Sequence, residues 1–507
     1  MVKDKEPSEN PNLKNNNNNN NKMFIGIVWN CVPELKLLLS ALLFFCSLIT
    51  LLQFFPSHLS FSVQDLRHCA SLPPPSSAVA LPQQAPVQIQ HVQVKHNDEV
   101  LQDGVIKRNF NTYGTAAYNF VLMSAYRGGL NTFAVIGLSS KPLHVFAKPT
   151  YVCEWMPNNG TGNLTVSGVK ILPDWGYGRV YTVVVVNCTF PVSVGHDGSG
   201  GRLFIHASTS GGGDANFNLT DTIEALEEAS GSLNPVLFTS PPKYDYLYCG
   251  SSLYGNLSPQ RIREWIAYHV KMFGEKSHFV IHDAGGVHPE VMAVLRPWIE
   301  KGYVTVQDIR EEERFDGYYH NQFLIVNDCL HRYRFMAKWM FFFDVDEFIF
   351  VPKKSTLKSV MDSLMEYTQF TIEQRTISNK LCYLDDHPGK IYRKWGIEKL
   401  VYRDMVKGIR RDRKYAVQPR NVFATGVHMS ENTIGKTTHK TEGKIMYYHY
   451  HGTISERREP CRQFVNTTEM KVGGTPYMVD TTMREVAGAI KRFEQRMIGS
   501  ALLTTRQ

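Results

Sequence analysis

The chain has 507 residues, of which 43% are hydrophobic and 20% are charged, and its formal net charge is +8. That length allows two or three domains, each large enough to bury a core. The positive surplus is mild and no basic stretch is interleaved with aromatic residues. These features argue against a nucleic-acid partner, and the charge would suit a polyanionic glycan or a membrane surface.

The N-terminal part of the chain has the pattern of a membrane anchor. Residues 1–36 open with a polar, asparagine-rich stretch and are predicted to form a disordered cytosolic tail. Residues 37–55 carry no charge, and a helix rising ~1.5 Å per residue there nearly spans a hydrocarbon layer of ~30 Å. Lys22 and Lys36 precede this segment, so it is predicted to be a signal anchor with a cytosolic N-terminus. A cleaved signal peptide is the alternative.

Residues 56–87 include a stretch rich in Pro, Ser and Ala and are predicted to be a stem or linker. Glycosylation sequons follow, which supports entry into the secretory pathway. They begin at Asn159, Asn163, Asn187, Asn218, Asn256 and Asn466, and the one at Asn256 is weakened by the proline that follows it.

Residues 88–235 have the texture of a β-rich module. Short runs rich in Val, Phe, Tyr or Thr are separated by breaks, which predicts a β-sandwich, whereas residues 221–229 are predicted to form a short helix. Four aromatic residues are candidates either for stacking on sugar rings or for the core: Trp155, Trp175, Tyr177 and Tyr181.

Residues 243–503 alternate between strand and helix patterns, which predicts an α/β fold with a parallel, nucleotide-binding-type sheet. Strands are predicted at 244–249, 278–283, 303–307 and 339–343, and helices at 259–273, 291–300 and 318–332. Ser258 is the expected N-cap of the first helix and Gly274 its stop.

The strand at 339–343 is apolar and is followed at once by Asp344, Asp346 and Glu347. Carboxylates at the end of a buried strand need a partner for their charge, because burying them alone is costly. Two carboxylates in Asp-x-Asp spacing suit a hard cation such as Mg²⁺ or Mn²⁺. A solvated acidic turn is the alternative.

Residues 339–348, WMFFFDVDEF, resemble the Asp-x-Asp segment of glycosyltransferase family 92, and the resemblance covers residues 243–503. It is close to the plant members of that family, which are β-1,4-galactan synthases. The resemblance implies a GT-A fold, a UDP-galactose donor, Mn²⁺ or Mg²⁺, and inverting transfer to the non-reducing end of β-1,4-galactan. It also implies that residues 88–235 are an appended carbohydrate-binding module.

The resemblance further implies a set of ligand-binding residues. The cation would be held by Asp344 (through water), Asp346 and His449. His451 is the second choice, because strand alternation puts it on the same face as His449. Donor contacts are expected from Asp283, Arg261, Gln322 and Asp344. A turn-capping role is the alternative for Asp283.

An inverting transferase needs a base to take the proton from the acceptor hydroxyl. Glu398 is the first candidate and Asp386 the second, with Asp385 and Asp404 as further possibilities. Surface ion pairing is the alternative for Glu398. The basic residues 407–414 would meet a diphosphate or form a solvated face.

Six cysteines in residues 88–503 allow up to three disulfides, and none forms a Cys-x-x-Cys pair of the kind that binds zinc. Cys153–Cys188 is the favoured pair because both residues lie in one module, and free buried cysteines are the alternative.

Together these features predict a single-pass type II Golgi membrane enzyme with a luminal catalytic domain. Its expected partners are UDP-galactose, a galactan acceptor and the Golgi membrane, with a homodimer possible and no nucleic acid. The alternatives are a transferase for another UDP-sugar or linkage, and a non-catalytic glycan-binding membrane protein. A glycosidase fits less well, since it needs carboxylates flanking a bond rather than a cation.

Overall fold

The computed structural model describes residues 90–93, 98–107, 119–140, 149–172, 181–210, 218–312, 318–384, 394–406, 413–455, 457 and 460–502. All of them belong to one compact unit, residues 84–507. The predicted tail, anchor and linker all lie outside the described residues, as do Trp175, Tyr177, Asp385 and Asp386. Among the helices in the described ranges, none has the length and apolar character needed to cross a membrane.

Ten strands lie between residues 90 and 228. They are β1 (Gln90–Gln93), β2 (Glu99–Val100), β3 (Ile106–Lys107), β4 (Phe120–Arg127), β5 (Thr132–Ser140), β6 (Thr150–Pro157), β7 (Leu164–Lys170), β8 (Tyr181–Thr189), β9 (Gly201–Ser210) and β10 (Asn218–Glu228). Eight of them form one hydrogen-bonded path in the order β1-β10-β9-β6-β7-β8-β5-β4. Strand β7 pairs with β6 on one side and with β8 on the other, so these strands form one continuous sheet. The sequence predicted a sandwich of two separate sheets.

This sheet folds over a single apolar core. Phe120 of β4 and Phe133 of β5 pack in the same cluster as Trp155 of β6 and Ile223 of β10. Trp155 is 1% exposed and Tyr181 is 2% exposed. Both are therefore core residues rather than sugar-stacking platforms. The favoured disulfide, Cys153–Cys188, is confirmed.

Residues 221–229 do not form the predicted helix. Residues 221–228 belong to β10, which pairs with β9 on one side and β1 on the other. Asp221, Ile223 and Ala225 are all fully buried on the inner face of this strand. Because one of these inward residues is charged, the sequence does not show the alternation of apolar and polar residues that is typical of a strand. The backbone N–H of Asn119 donates to Oδ2 of Asp221 at 2.6 Å, which gives this buried carboxylate a partner that the sequence does not reveal.

Replacing Cys153 and Cys188 by serine together is expected to destabilise the protein by about 3 kcal/mol. The bond closes a loop with a sequence separation of 35 residues, and its loss frees the unfolded chain. Urea unfolding followed by tryptophan fluorescence measures the change. An unchanged midpoint in the double variant would contradict the expectation.

The predicted catalytic region, residues 243–503, is built on strands and helices that follow one another along the chain. Its strands begin with β11 (Tyr244–Leu253), β12 (Ser277–Asp283), β13 (Val304–Asp308) and β14 (Ala337–Phe342), and its first helices are α1 (Pro259–Phe273), α2 (Pro289–Glu300) and α3 (Gln322–Arg332). The four strands are parallel and lie side by side in the order β13-β12-β11-β14. The predicted βα alternation and parallel sheet are confirmed.

Helix α1 shows how the local sequence sets an element's ends. The hydroxyl of Ser258 caps its first turn, accepting from the Arg261 N–H, and proline occupies the next position. The helix stops at Gly274, whose φ of 83° lies in the region that favours glycine. Ile262, Trp265 and other apolar residues of the helix are buried against the sheet.

The sheet is extended on the side of β14 by strands from later in the chain. The remaining strands are β15 (Glu347–Phe350), β16 (Tyr367–Thr376), β17 (Leu381–Tyr383), β18 (Tyr402–Asp404), β19 (Lys414–Val417), β20 (Val422–Thr425), β21 (Ser430–Thr433), β22 (Lys436–Thr438), β23 (Met446–His449), β24 (Gln463–Val465), β25 (Glu469–Val472) and β26 (Thr475–Val479). The remaining helices are α4 (Leu357–Ser363), α5 (Gly396–Lys399) and α6 (Thr482–Leu502). From β14 the order continues β19-β16-β23-β15, which brings His449 on β23 beside the acids that follow β14.

The β-rich module and the catalytic region share a core. Ile136 and Val185, on the outer face of the module, pack in one cluster with Leu324 and Ile325 of α3. The hydroxyl of Tyr126 donates to the buried Asp328 carboxylate of α3 at 2.6 Å. Strands β2 and β3 also join the edge of the catalytic sheet beside β13. The structure therefore puts residues 99–107 in the catalytic sheet, although the sequence assigned them to the module.

Candidate functional site

The acids after β14 are held in a tight turn. The Glu347 N–H donates to the Asp344 carbonyl at 3.1 Å. In return the Asp344 N–H donates to Glu347 Oε2 at 2.6 Å. Glu347, 1% exposed, is thus used to fix the turn, which leaves Asp346 at its tip.

Asp346 lies beside an imidazole from about a hundred residues further along the chain. His449 pairs with Glu347 across the antiparallel β15–β23 ladder, and its Nε2 lies 3.6 Å from Asp346 Oδ1. Burial would lower the pKa of His449, but the nearby carboxylates of Asp346 and Glu347 raise it above its ordinary value. The electrostatics of the site therefore favour a cation.

His451 completes a cluster with Asp346 and His449. One ligand atom from each of the three lies within 4.8 Å of the others. The turn after β23 positions the group, because the Gly452 N–H donates to Asp346 Oδ2 at 3.1 Å and the Tyr450 N–H donates to the Asp346 carbonyl at 2.9 Å. One carboxylate and two imidazoles fit a divalent transition metal such as Mn²⁺ better than Mg²⁺, which prefers oxygen ligands.

Asp344 is engaged by other residues. Its Oδ2 accepts from the ammonium of Lys414 at 2.8 Å, and its Oδ1 accepts from the Gln322 amide at 3.3 Å. Burial would raise the pKa of Asp344, but Lys414 outweighs it and holds that pKa below its usual value. The structure thus gives Asp344 an ion pair where the sequence predicted a water-mediated cation ligand.

Lys414 is shared by two acids, Glu347, which is buried, and Asp344, whose side chain is 33% exposed. The side chain of Lys414 is 4% exposed, and its Nζ also lies 3.7 Å from Glu347 Oε2. Burial would lower the pKa of Lys414, but Asp344 and Glu347 raise it. For Glu347 burial dominates and raises the pKa to about 7, because the longer contact with Lys414 compensates it less. Lys414 therefore neutralises chiefly Asp344.

These groups line a cavity of about 740 Å³ at the carboxyl ends of β11 and β14. Its floor carries Asp346, His449 and His451. One wall is the end of β11 from Ser251 to Leu253 with Tyr254 after it, and another is Gln322 with Phe323 at the start of α3. Cavities of ~300–1,000 Å³ hold small molecules, so this one has room for a nucleotide sugar.

Comparisons with known proteins assign the chain to a family of enzymes. Residues 244–486 fit the family described as Glycosyltransferase family 92, and the chain is 60% identical over its whole length to Galactan beta-1,4-galactosyltransferase GALS3 of Arabidopsis thaliana, of which 100% is covered. The chain belongs to glycosyltransferase family 92. GALS2 of the same plant is 59% identical over 99% of this chain and 100% of its own length. Beta-1,4-galactosyltransferase galt-1 of Caenorhabditis elegans is 28% identical over 42% of this chain and 49% of its own.

Two of the expected donor contacts of this family 92 glycosyltransferase lie outside the cavity. Asp283 ends β12 as predicted, but its Oδ1 accepts the backbone N–H groups of Gly285 and Val287 at 2.8 and 2.9 Å. Arg261 pairs with Glu264 at 3.1 Å, and Glu264 also accepts the Gly396 N–H. Asp283 thus caps a loop and Arg261 anchors α5, whereas Gln322 does line the cavity.

Glu398 also lies outside the cavity. Its carboxylate accepts the Trp395 N–H at 2.6 Å and is ion-paired with Lys491 of α6. It therefore caps α5 and joins it to α6, which does not support its expected role as the base. Asp404, on β18, is likewise not part of the cavity wall. Asp386 lies outside the described residues and stays a prediction.

The sequence missed the roles of Lys414 and Gln374. Lys414 ends a run of basic residues that favoured a solvated face, but it is also the first residue of the buried strand β19. The apolar residues 415–417 that follow it were the available signal. Gln374 lies on β16 with its amide nitrogen 2.5 Å from His449 Nδ1, and no local pattern in the sequence marks it.

Proposed function

We propose that this glycosyltransferase moves galactose from UDP-galactose to the non-reducing end of β-1,4-galactan, with inversion and with Mn²⁺ as cofactor. The names of the Arabidopsis relatives supply the sugar and the linkage. The observation that carries the metal part is the cluster of Asp346, His449 and His451 on the floor of the cavity. The parallel strands that end at this cluster support a GT-A-type catalytic domain.

The three residues of the cluster would hold the cation. When bound there, it would act as a Lewis acid that stabilises the negative charge on the departing diphosphate. Lys414 contributes indirectly, because it neutralises Asp344 and keeps the carboxylate of the turn in place. The amide of Gln322 donates to the same carboxylate, which links the turn to the start of α3 in the cavity wall.

Inversion requires a single in-line attack by the acceptor hydroxyl, with a base to remove its proton. Among the described residues that line the cavity, the carboxylates are Asp344, Asp346 and Glu347. The first is ion-paired, the second belongs to the cation cluster, and the third caps the turn. The proposed base is Asp386, the second candidate from the sequence, with Asp385 as the alternative; both lie outside the described residues.

Asp386→Asn is expected to lower the transfer rate by about 10²–10⁴-fold, the usual contribution of a general base, while Mn²⁺ binding is retained. Glu398→Gln should stay within about tenfold of wild-type activity, since that side chain caps α5 and pairs with Lys491 outside the cavity. Initial rates of galactan elongation measure both. A larger loss in Glu398→Gln than in Asp386→Asn would reverse the assignment.

The proposed setting is the Golgi lumen, with residues 37–55 as the signal anchor of a type II protein. Exposed asparagines at Asn159 and Asn466 are accessible to glycosylation there. A lower apparent mass on a denaturing gel after treatment with an endoglycosidase supports this topology. Full digestion of the protein by protease added to sealed microsomes contradicts it.

UDP release from a panel of UDP-sugars tests the proposed function. The full-length enzyme is incubated with galacto-oligosaccharide, with and without Mn²⁺, and the product linkage is read by digestion with a β-1,4-galactanase. Release from UDP-galactose that requires both metal and acceptor is expected. Preference for another sugar would favour a different transferase, and glycan binding without UDP release would favour a non-catalytic glycan-binding protein.

A further inference from the structure

His449 presents one ring nitrogen to the cluster and the other to the protein. Its Nε2 faces Asp346 Oδ1 at 3.6 Å, so Nε2 is the atom available to a cation. A histidine that binds a metal usually has its second ring nitrogen held by a neighbouring polar group, which fixes both the orientation of the ring and its tautomer. The group that faces Nδ1 therefore matters for the site.

Within the part of the chain that the structure describes, Gln374 and Glu347 approach Nδ1, and Gln374 alone is within hydrogen-bond distance. The amide nitrogen of Gln374 lies 2.5 Å from Nδ1, whereas Glu347 Oε1 lies 4.0 Å away. Glu347 is also committed elsewhere, since its other oxygen accepts the Asp344 N–H. Gln374 is thus the residue that holds the ring.

The strand pairing explains why Gln374 occupies this place. Strand β16 runs parallel to β23, with Gln374 opposite Tyr447 and Thr376 opposite His449. Residues two apart on a strand share a face. All four side chains line the cavity together, with Gln374 two residues along the register from the Thr376–His449 pair.

We propose that Gln374 is a positioning residue for the cation site, which holds His449 so that Nε2 points at the cation. Where the amide donates to Nδ1, the ring is neutral at that nitrogen and its hydrogen lies on Nε2, towards Asp346. With a cation at Nε2, the ring hydrogen sits on Nδ1, and a half-turn of the amide offers it a carbonyl oxygen. A glutamine serves both arrangements because it carries a donor and an acceptor on one group.

The inference rests on the proposed metal-dependent function, so its test measures Mn²⁺ affinity directly. Purified full-length protein is titrated with Mn²⁺, and the free ion is followed by electron paramagnetic resonance. Gln374→Met keeps the size of the side chain and removes both hydrogen-bonding atoms, and it is expected to weaken Mn²⁺ binding by about 10–100-fold. Gln374→Glu keeps an acceptor for Nδ1–H and should remain within about threefold of wild type.

Gln369→Met is the matched control. Gln369 is on the same strand, is 1% exposed, and uses its amide oxygen to accept the Ser430 N–H at 2.7 Å. Its replacement removes a buried hydrogen bond, as Gln374→Met does, but at a position well away from His449 along the strand. Mn²⁺ affinity should therefore be unchanged. Weakened binding in this control equal to that of Gln374→Met would show a general packing effect and overturn the inference.

The remaining outcomes separate this inference from the proposed function. Wild-type protein that binds no Mn²⁺ removes the metal-dependent part of the function and the inference with it. Wild-type protein that binds Mn²⁺ and releases UDP from UDP-galactose, while Gln374→Met binds the ion equally well, overturns the inference alone. Binding in Gln374→Glu as weak as in Gln374→Met also overturns it, because the acceptor would then have no role.

Discussion

Replacing Asp346 by asparagine is expected to lower galactosyl transfer by about 10³-fold, equivalent to ~4 kcal/mol of transition-state stabilisation. The variant loses the negative charge that the cluster with His449 and His451 needs to hold a divalent ion. An asparagine oxygen can still accept the Gly452 N–H that Asp346 Oδ2 accepts at 3.1 Å. The turn should therefore persist, and the defect should be chemical rather than structural.

Steady-state rates with UDP-galactose and Mn²⁺, together with thermal melting, test this expectation. Asp362→Asn is the control, because Asp362 is an exposed acid whose partner is Lys358 on the same helix turn. It should retain the wild-type rate. Wild-type transfer in Asp346→Asn would remove Asp346 from the reaction, and a collapse of its melting temperature would mean that the carboxylate is structural.

Replacing Lys414 by methionine is expected to destabilise the fold by about 3–5 kcal/mol, the cost of leaving a buried charge without its partner. Lys414 is the cation that contacts both Asp344 and Glu347, and its side chain is 4% exposed. Methionine fills much of the same space, so the loss reports the charge rather than a cavity. The two carboxylates would then repel one another in a poorly solvated turn.

Urea unfolding of the full-length protein measures this loss. Lys436→Met is the matched control, since Lys436 pairs with Glu366 on the surface at 3.2 Å with both side chains mostly exposed. A surface pair of this kind contributes less than about 1 kcal/mol. Equal effects of the two substitutions would contradict the role assigned to Lys414.

The sequence predicted well what depends on neighbours along the chain. The limits of α1 follow from Ser258 and Gly274, and the buried strand before Asp344 follows from its run of aromatic residues. The proximity of His449 to Asp346 was expected from the family resemblance, because nothing local in either segment points to the other. It depends on β23 lying between β15 and β16.

The sequence failed where burial of a polar residue depends on a distant strand. Lys414 resembles its basic neighbours until β19 is paired with β14 and β16. Asp221 resembles a helix-starting acid until the Asn119 N–H is brought to it from β4's end of the sheet. Glu398 resembles a free acid until α6 brings Lys491 beside it. In each case the deciding partner is many residues away.

The central claim is that Asp346, His449 and His451 hold the catalytic cation. The most direct measurement is anomalous X-ray scattering near the manganese absorption edge, from crystals of the protein grown with Mn²⁺ and UDP. We expect one strong peak bonded to the Asp346 carboxylate and both imidazoles. A peak bonded to Asp344 in place of these residues, or no peak at the cluster, would contradict the claim.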